Sequence, residues 1–159
     1  MFCMFFIYTR SIEIIRSIIL DVIVKEKVIR PHDDSDNIRQ NNSSQESLNI
    51  VFDAFSMSLK MMSEKAIKLK NEMYVTDFNC RINFEIFHSV PDYDHQIMKF
   101  IGRIMQRIDS DCAFEDNGDA LLFRKSGEII IDESWSSRLV PFPYEELGLS
   151  YSKGTIVLY

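Results

Sequence analysis

The sequence predicts an α+β fold in a single domain, residues 1–159, and three observations lead to this prediction. Polar and apolar residues alternate over 80–88 and again after residue 112, as in half-buried strands. Two other segments, 12–30 and 91–108, repeat apolar residues at helical spacing. The chain has 159 residues, of which 46% are hydrophobic and 26% charged, as is ordinary for one globular domain.

The first third of the chain predicts a strand, a helix and a loop. Residues 2–8 are almost wholly apolar and are expected to form a buried strand. An isoleucine-rich helix follows and ends by Arg30, because Pro31 disfavours helical backbone in the residue before it. Residues 31–47 contain one aliphatic side chain, Ile38, and cannot bury enough surface to offset the entropy of ordering. They are predicted to form a flexible polar surface loop.

The middle of the chain predicts strands and a second helix. Residues 48–62 have strand character, and 63–78 fit either a short helix or a charged edge strand. The alternation over 80–88 is typical of a half-buried strand. Pro91 suits the first turn of the second helix, which carries isoleucines at spacings of four, three and four residues as far as Ile108.

Two tight turns organise the last third of the chain into a β-meander. Asn117-Gly118 favours a type I′ hairpin, because both central positions of that turn need a positive φ. Ser126-Gly127 indicates a second tight turn. The predicted antiparallel strands are 112–115, 119–125 and 128–132.

The chain beyond the meander is predicted to form an extension packed across the sheet. Pro141 and Pro143 preclude a central strand there, while Trp135 supplies apolar packing surface and 154–159 is expected to add a short edge strand. The order strand, helix, strand, strand, helix, meander is typical of a ferredoxin-like two-layer sandwich. We therefore expect a mostly antiparallel sheet with two helices on one face.

The net charge of −6 is concentrated in the last third of the chain. Residues 1–108 hold 14 acidic and 14 basic side chains, whereas 109–159 hold 10 acidic and 4 basic ones. An acidic surface does not neutralise phosphate groups and therefore argues against nucleic-acid binding. Such a surface is suited to attracting a basic protein partner, and plain solubility explains it equally well.

The sequence contains no motif that would indicate a cofactor or a catalytic site, such as a phosphate-binding glycine loop. No metal site is expected, since Cys80 and His88 share a strand face but stand about 26 Å apart. The three cysteines include no C-x-x-C pair, which indicates reduced, buried thiols and a cytoplasmic location. The apolar start MFCMFFIY is too short to cross a bilayer, so no membrane association is expected.

The acids around the first turn of the meander raise the question of a paired-carboxylate active site. Asp116 and Asp119 flank Asn117-Gly118, where aspartate is favoured because it hydrogen-bonds to nearby backbone. Catalysis would need an acid and a base at a fixed distance in a cleft. A hairpin tip is expected to offer neither burial nor a cleft, so no catalytic residue is predicted there.

Several segments resemble the immunity proteins of swarming-inhibition (Sit) toxins. These are NCRINFEIF, the amphipathic helix after it, DNGDALLFRKSGEIIID, Trp135 and RLVPFPYEELGL, which together cover roughly residues 79–149. GDALLF and the stretch from Trp135 to PFPYE are the most specific parts. The resemblance implies a small cytoplasmic protein that binds and neutralises a cognate toxin. It supplies no catalytic residues.

A role of this kind needs a stable scaffold and one complementary surface. The acidic last third is the natural candidate if the toxin is basic, and its hypothetical partner-binding residues are Glu115, Asp116, Asp119, Asp132 and Glu133. The alternatives are an α+β interaction domain with another partner, or a small enzyme. The sequence does not indicate the oligomeric state.

Overall fold

The computed structural model describes residues 2–7, 12–24, 47–52, 54–87, 91–132 and 142–159. The strands are β1 (Phe2–Phe6), β2 (Ser47–Val51), β3 (Phe55–Met61), β4 (Cys80–Ile86), β5 (Cys112–Asp116), β6 (Asp119–Lys125), β7 (Glu128–Ile131) and β8 (Ser152–Lys153). The helices are α1 (Ile12–Val24), α2 (Glu64–Tyr74) and α3 (Tyr93–Arg107), and a short 3₁₀-helix covers Tyr144–Leu147.

The strands form one eight-stranded sheet in the order β2-β3-β4-β1-β5-β6-β7-β8. All neighbouring pairs are antiparallel except β7 and β8, which are parallel. The prediction of an α+β fold with a mostly antiparallel sheet is therefore confirmed. The first strand of the chain lies in the middle, between β4 and β5, which explains why its whole sequence is apolar.

Two apolar clusters bury the two sides of β1. The larger cluster contains Phe2, Met4 and Phe6 together with the buried faces of α1 and α3. The smaller cluster contains Cys3 and Phe5 on the alternate side of the strand, and α2 contributes to it through its end. Because successive side chains of a strand point to opposite faces, β1 serves both clusters at once.

The segment 63–78 contains a helix, α2, and not a charged edge strand. Ser63 caps its N-terminus by accepting a hydrogen bond from the backbone N–H of Ala66 at 3.4 Å. Val75 ends it in the left-handed conformation, with φ of 50°. The described chain thus has three α-helices where the sequence predicted two, because a helix with a single buried residue, Tyr74, gives only a weak periodic signal.

The meander forms as predicted. Its strands end within one residue of the expected limits, and both turns have positive φ at their two central positions. These φ values are 52° for Asn117 and 99° for Gly118, then 50° for Ser126 and 86° for Gly127. The turn chemistry therefore sets the register of β5, β6 and β7.

The C-terminal edge strand differs from the prediction. It covers Ser152–Lys153 and is not found in 154–159. The backbone N–H of Ile156 donates to the carboxylate of Asp132 at 2.9 Å, and that of Tyr159 donates to the carbonyl of Met73 at 3.1 Å. Gly154 still donates its backbone N–H to the carbonyl of Ile131 in β7 at 3.0 Å, but the N–H groups of Ile156 and Tyr159 are used elsewhere, so the ladder does not extend to these two residues.

Some predictions fall on parts of the chain outside the described residues. These are the end of the first helix over 25–30, the polar loop over 31–46, His88, Glu133, Trp135 and Pro141. Ser47, the last residue of the predicted loop, is the first residue of β2.

Candidate functional site

The structure separates the five acids that the sequence grouped into one partner-binding surface. Glu115 and Asp132 are buried, each with 3% exposure. Asp116 and Asp119 are partly exposed and pair with each other across the β5–β6 hairpin. Glu133 lies outside the described residues. Of these five acids, only Asp116 and Asp119 are therefore both described and partly exposed, and we call this pair the acidic hairpin.

Glu115 is half of an interior ion pair. Its two carboxylate oxygens accept from the Nζ of Lys70 at 2.6 and 2.7 Å, and Oε1 also accepts from the hydroxyl of Tyr74 at 2.6 Å. The Lys70 ammonium lies 4.9 Å from the centre of the Phe5 ring. These contacts hold α2 against the sheet. They also correct the expectation that Glu115 lies on the partner-facing surface.

Sequence reasoning missed this pair because β5 shows no alternation. Four of its five residues, CAFED, are buried, so the pattern does not show to which face Glu115 points. Tyr74 and Lys70 belong to a segment whose structure the sequence left undecided. Glu115 lies near α2 because β5 is beside β1 in the sheet, and α2 packs against the side of β1 that carries Phe5. This strand order is not visible in the sequence.

Asp132 acts inside the fold. It follows β7 directly and accepts the hydrogen bond from the backbone of Ile156, so it anchors the C-terminal tail. A carboxylate that accepts a backbone N–H in a buried position is a structural group. This position therefore does not support a direct contact with a partner.

A cleft of about 710 Å³ adjoins the acidic hairpin. Asp116 and Asn117 lie on its hairpin side, and Tyr93, at the start of α3, lines it as well. The expectation that the hairpin tip offers no cleft is therefore wrong. The cleft arises where the hairpin projects beside β1 and the ends of β3 and β4. The strand residues that line it are Phe2, Ser56, Ser58, Lys60, Asn83, Phe84, Glu85 and Ile86.

One wall of the cleft is a polar stretch of the sheet. Three cross-strand pairs of β3 and β4 point to the face opposite α1 and α3, because they alternate with residues of the larger core cluster. We call these six residues the polar track. They pair as Lys60 with Arg81, Ser58 with Asn83, and Ser56 with Glu85.

The cysteines are free and buried, as the sequence predicted. Burial raises the pKa of Cys80 to about 11, and it raises that of Cys112 to about 11 despite the neighbouring Arg124. Burial, with a contribution from Glu115, also raises the pKa of Cys3. A thiol with a raised pKa is protonated at neutral pH, so none of the three is an activated nucleophile.

Burial, together with the neighbouring Glu115 carboxylate and the hydrogen bond to it, raises the pKa of Tyr74 far above that of an ordinary tyrosine. Its hydroxyl is thus a fixed donor to Glu115.

Within the described ranges, no three His, Cys, Asp or Glu side chains are grouped so as to hold a metal ion.

A surface ion pair connects α3 to the 3₁₀-helix. The Nδ1 of His95 lies 3.0 Å from Oε1 of Glu146, and the Nζ of Lys99 lies 3.4 Å from Oε2. The hydrogen bond to Glu146 is the main reason that the pKa of His95 is raised, and the same bond lowers the pKa of Glu146. The pair is therefore charged on both sides over a window of mildly acidic pH.

We expect this pair to make stability depend weakly on pH. A raised histidine pKa stabilises the fold below the unfolded pKa, and this stabilisation is lost as pH rises through the folded pKa. The lowered pKa of Glu146 stabilises the fold at pH values above the pKa of glutamate in the unfolded chain. This stabilisation is lost as the pH falls through the pKa of Glu146 in the folded protein. The His95 side chain is 45% exposed, so the effect should stay below about 1 kcal/mol.

Proton NMR titration of His95 measures this effect directly. The pKa should exceed the ordinary histidine value in the wild type and fall in Glu146→Gln, which keeps the smaller contributions of Asp94 and Asp92. Lys153→Gln, a surface change elsewhere, serves as the control and should leave the titration unaltered. An unchanged His95 pKa in Glu146→Gln would show that the pair does not form in solution.

Comparison of the chain with protein-family models, with curated proteins and with solved structures gives no match. Across the described residues, none of the helices combines the length and the apolar character needed to cross a membrane.

Proposed function

We propose that this chain is an immunity protein that binds a cognate bacterial toxin in the cytoplasm and neutralises it by occlusion, without catalysis. The proposal starts from the resemblance over residues 79–149. The structural observation that supports it is the acidic hairpin, in which Asp116 lines a polar cleft and Asp119 is its cross-strand partner. A charged projection beside a concave surface is suited to capturing a partner of opposite charge.

A stable scaffold is the second requirement of such a role. We infer that β3, β4, β1 and β5 form a ferredoxin-like unit with α1 and α3, to which β2 and the outer strands of the meander are added. In support of this, β4 and β5 flank β1 and both run antiparallel to it, so α3 connects two parallel strands separated by one strand. The acidic hairpin is then held by a central strand of the sheet.

The proposal predicts that a neighbouring gene encodes a toxin, and the direct test is binding to the domain of that toxin. Co-expression should yield a complex that survives gel filtration, and cells making this chain should tolerate the toxin. If the two proteins do not associate and no protection is seen, the proposal is wrong, and a different protein partner becomes the better hypothesis.

Charge reversal of the acidic hairpin should weaken the complex. We expect Asp116→Lys/Asp119→Lys to raise the Kd by about tenfold or more, mainly by slowing association, because steering by opposite charges is lost. Isothermal titration calorimetry and stopped-flow mixing at two salt concentrations measure both effects. The wild-type Kd should rise with salt more steeply than that of the variant.

A matched control lies at the other end of the same meander. Asp109 and Glu128 are exposed, and the β6–β7 turn beside Glu128 is at the far end of β6 from the acidic hairpin. Asp109→Lys/Glu128→Lys changes the net charge by the same amount and should alter the Kd by less than about threefold. Equal losses from the two double variants would mean that total charge, and not the acidic hairpin, controls binding.

A further inference from the structure

We propose that the polar track binds an extended peptide segment of a protein partner, with an acidic side chain at one end of the segment and a basic one at the other. This inference rests on the proposed function only in taking the partner to be a protein. The observation behind it is an ordered change of charge along β3 and β4. The pairs run from basic, Lys60 with Arg81, through neutral, Ser58 with Asn83, to acidic at Glu85.

The spacing of the charges sets the length of the segment. Lys60 and Ser56 are four residues apart on β3, as are Arg81 and Glu85 on β4. Four residues of strand span about 13 Å. The two ends of the polar track therefore match two side chains that lie four residues apart in an extended peptide.

The acidic end is strengthened by the hairpin. Asp116 lines the same cleft as Glu85, so two carboxylates are present at this end. Lys60 and Glu85 are both exposed, so a bound segment could reach either end. A segment with opposite charges at its two ends complements this arrangement, whereas a segment with like charges meets repulsion at one end.

The polar track contains two side-chain atoms that lack hydrogen-bond partners within the described chain, one at its middle pair and one at its basic end. The hydroxyl oxygen of Ser58 and the Nε of Arg81 are both buried and form no hydrogen bond there. Asn83 uses its carbonyl oxygen to accept from the Cys3 thiol at 3.3 Å, and an asparagine amide carries two further donors. Asn83 also lines the cleft, so its amide can donate to a backbone carbonyl of a peptide that lies on the polar track.

The geometry also explains why a peptide is favoured over a compact ligand. The polar groups of β3 and β4 that line the cleft of about 710 Å³ are spread over three successive cross-strand pairs. An extended backbone places a donor or an acceptor at each of these positions. Phe2 and Tyr93 line the cleft as well and would contact its apolar side chains.

Short capped peptides test the inference without the toxin. The probes are Ac-Glu-Ser-Gly-Ser-Arg-NH2 and two relatives of the same length that carry Glu at both ends or Arg at both ends. In NMR titrations at millimolar concentration, the first peptide should shift the amides of Ser58, Asn83 and Glu85. It should bind about fivefold more tightly than either like-charged peptide.

One substitution should change the preference. Glu85→Lys replaces one of the two carboxylates at the acidic end by an ammonium group, so the opposite-charge peptide should lose about fivefold in affinity and should no longer bind more tightly than the peptide with two glutamates. Glu128→Lys, on the β6–β7 turn, is the control and should preserve the wild-type order. Equal affinities for the three peptides, or shifts that lie outside the polar track, would overturn the inference.

The outcomes are separable from those of the proposed function. A toxin that binds this chain while the three peptides do not would overturn the inference and leave the immunity role standing. Peptides that bind as expected, together with a neighbouring toxin that does not bind, would support the inference and reject the immunity role.

Discussion

Gly102→Ala should lower the free energy of unfolding by about 3 kcal/mol. In most helix interiors this substitution stabilises a protein by about 1 kcal/mol, because glycine is the poorer helix former. Here a Cβ atom on Gly102 would lie 2.1 Å from the carbonyl oxygen of Leu147 and 2.7 Å from its carbonyl carbon. These are backbone atoms, so relief requires the 3₁₀-helix to move away from α3.

The consequence would extend along the C-terminal segment. Phe142, Tyr144 and Leu147 are buried in the larger apolar cluster, and they would lose contacts if the 3₁₀-helix shifted. Urea-induced unfolding gives the stability change. NMR spectra should show the largest shifts in 142–151.

Two other glycines separate the steric effect from the backbone effect. Gly118 and Gly127 have positive φ, and a Cβ atom on either would meet nothing within 4 Å. Gly118→Ala and Gly127→Ala should therefore lower the free energy of unfolding by about 1 kcal/mol each, because alanine is strained at a positive φ. If Gly102→Ala were as stable as the wild type, the close approach of α3 and the 3₁₀-helix would be refuted.

The elements that the sequence predicted well are those with strong local signals. The Asn117-Gly118 turn needs no tertiary information, because its backbone conformation excludes most other residues. The helix α3 buries one continuous stripe that includes Ile97, Ile101 and Ile104, so its periodicity is clear in the sequence. The central position of β1 is likewise consistent with its unbroken apolar run.

The elements that the sequence did not predict depend on contacts between distant segments. α2 buries one residue and binds the sheet through Lys70 and Glu115, which are 45 residues apart. The candidate surface rests on charge alone, and charge does not distinguish a partly exposed acid such as Asp116 from an interior one such as Glu115. That distinction needed the strand order, which places β5 between β1 and β6.

The cleft illustrates the same point for the candidate site. Ser56, Ser58 and Glu85 carry no motif, and their sequence context indicates only the polar side of two strands. They lie together on one polar face because β3 and β4 pair in a register that places polar residues opposite each other. Alternation in the sequence indicates which face of each strand is polar, but it does not show that β3 pairs with β4 or which residues lie opposite each other.

Arg124→Met should destabilise the protein by about 3–5 kcal/mol, the largest loss that we expect from one side chain, because several carbonyls lose their donor at a cost of about 1–3 kcal/mol each. Arg124 is buried with 6% exposure and donates to the carbonyl of Met105 at 2.6 Å and to that of Ser110 at 2.7 Å. It also donates to the carbonyl of Ile108. The last carbonyls of a helix have no partner within the helix, so Arg124 completes the C-terminus of α3 from the neighbouring strand.

The charge of Arg124 is favourable there for a second reason, because the C-terminal end of a helix dipole is negative. Methionine keeps the length and apolar character of the side chain but leaves three buried carbonyls without this donor. Arg124→Lys restores the charge but not the planar set of donors, so it should recover only part of the loss.

The adjacent residue provides the control for this prediction. Lys125 is exposed, and its Nζ donates to the carbonyl of Val75 at 3.1 Å. Lys125→Met removes the same charge from the same strand and should cost less than about 1 kcal/mol, because water replaces an exposed hydrogen bond. Urea unfolding of the three variants should give the order Lys125→Met, Arg124→Lys, Arg124→Met, from most to least stable. Equal stabilities of Arg124→Met and Lys125→Met would contradict the claim that Arg124 completes α3.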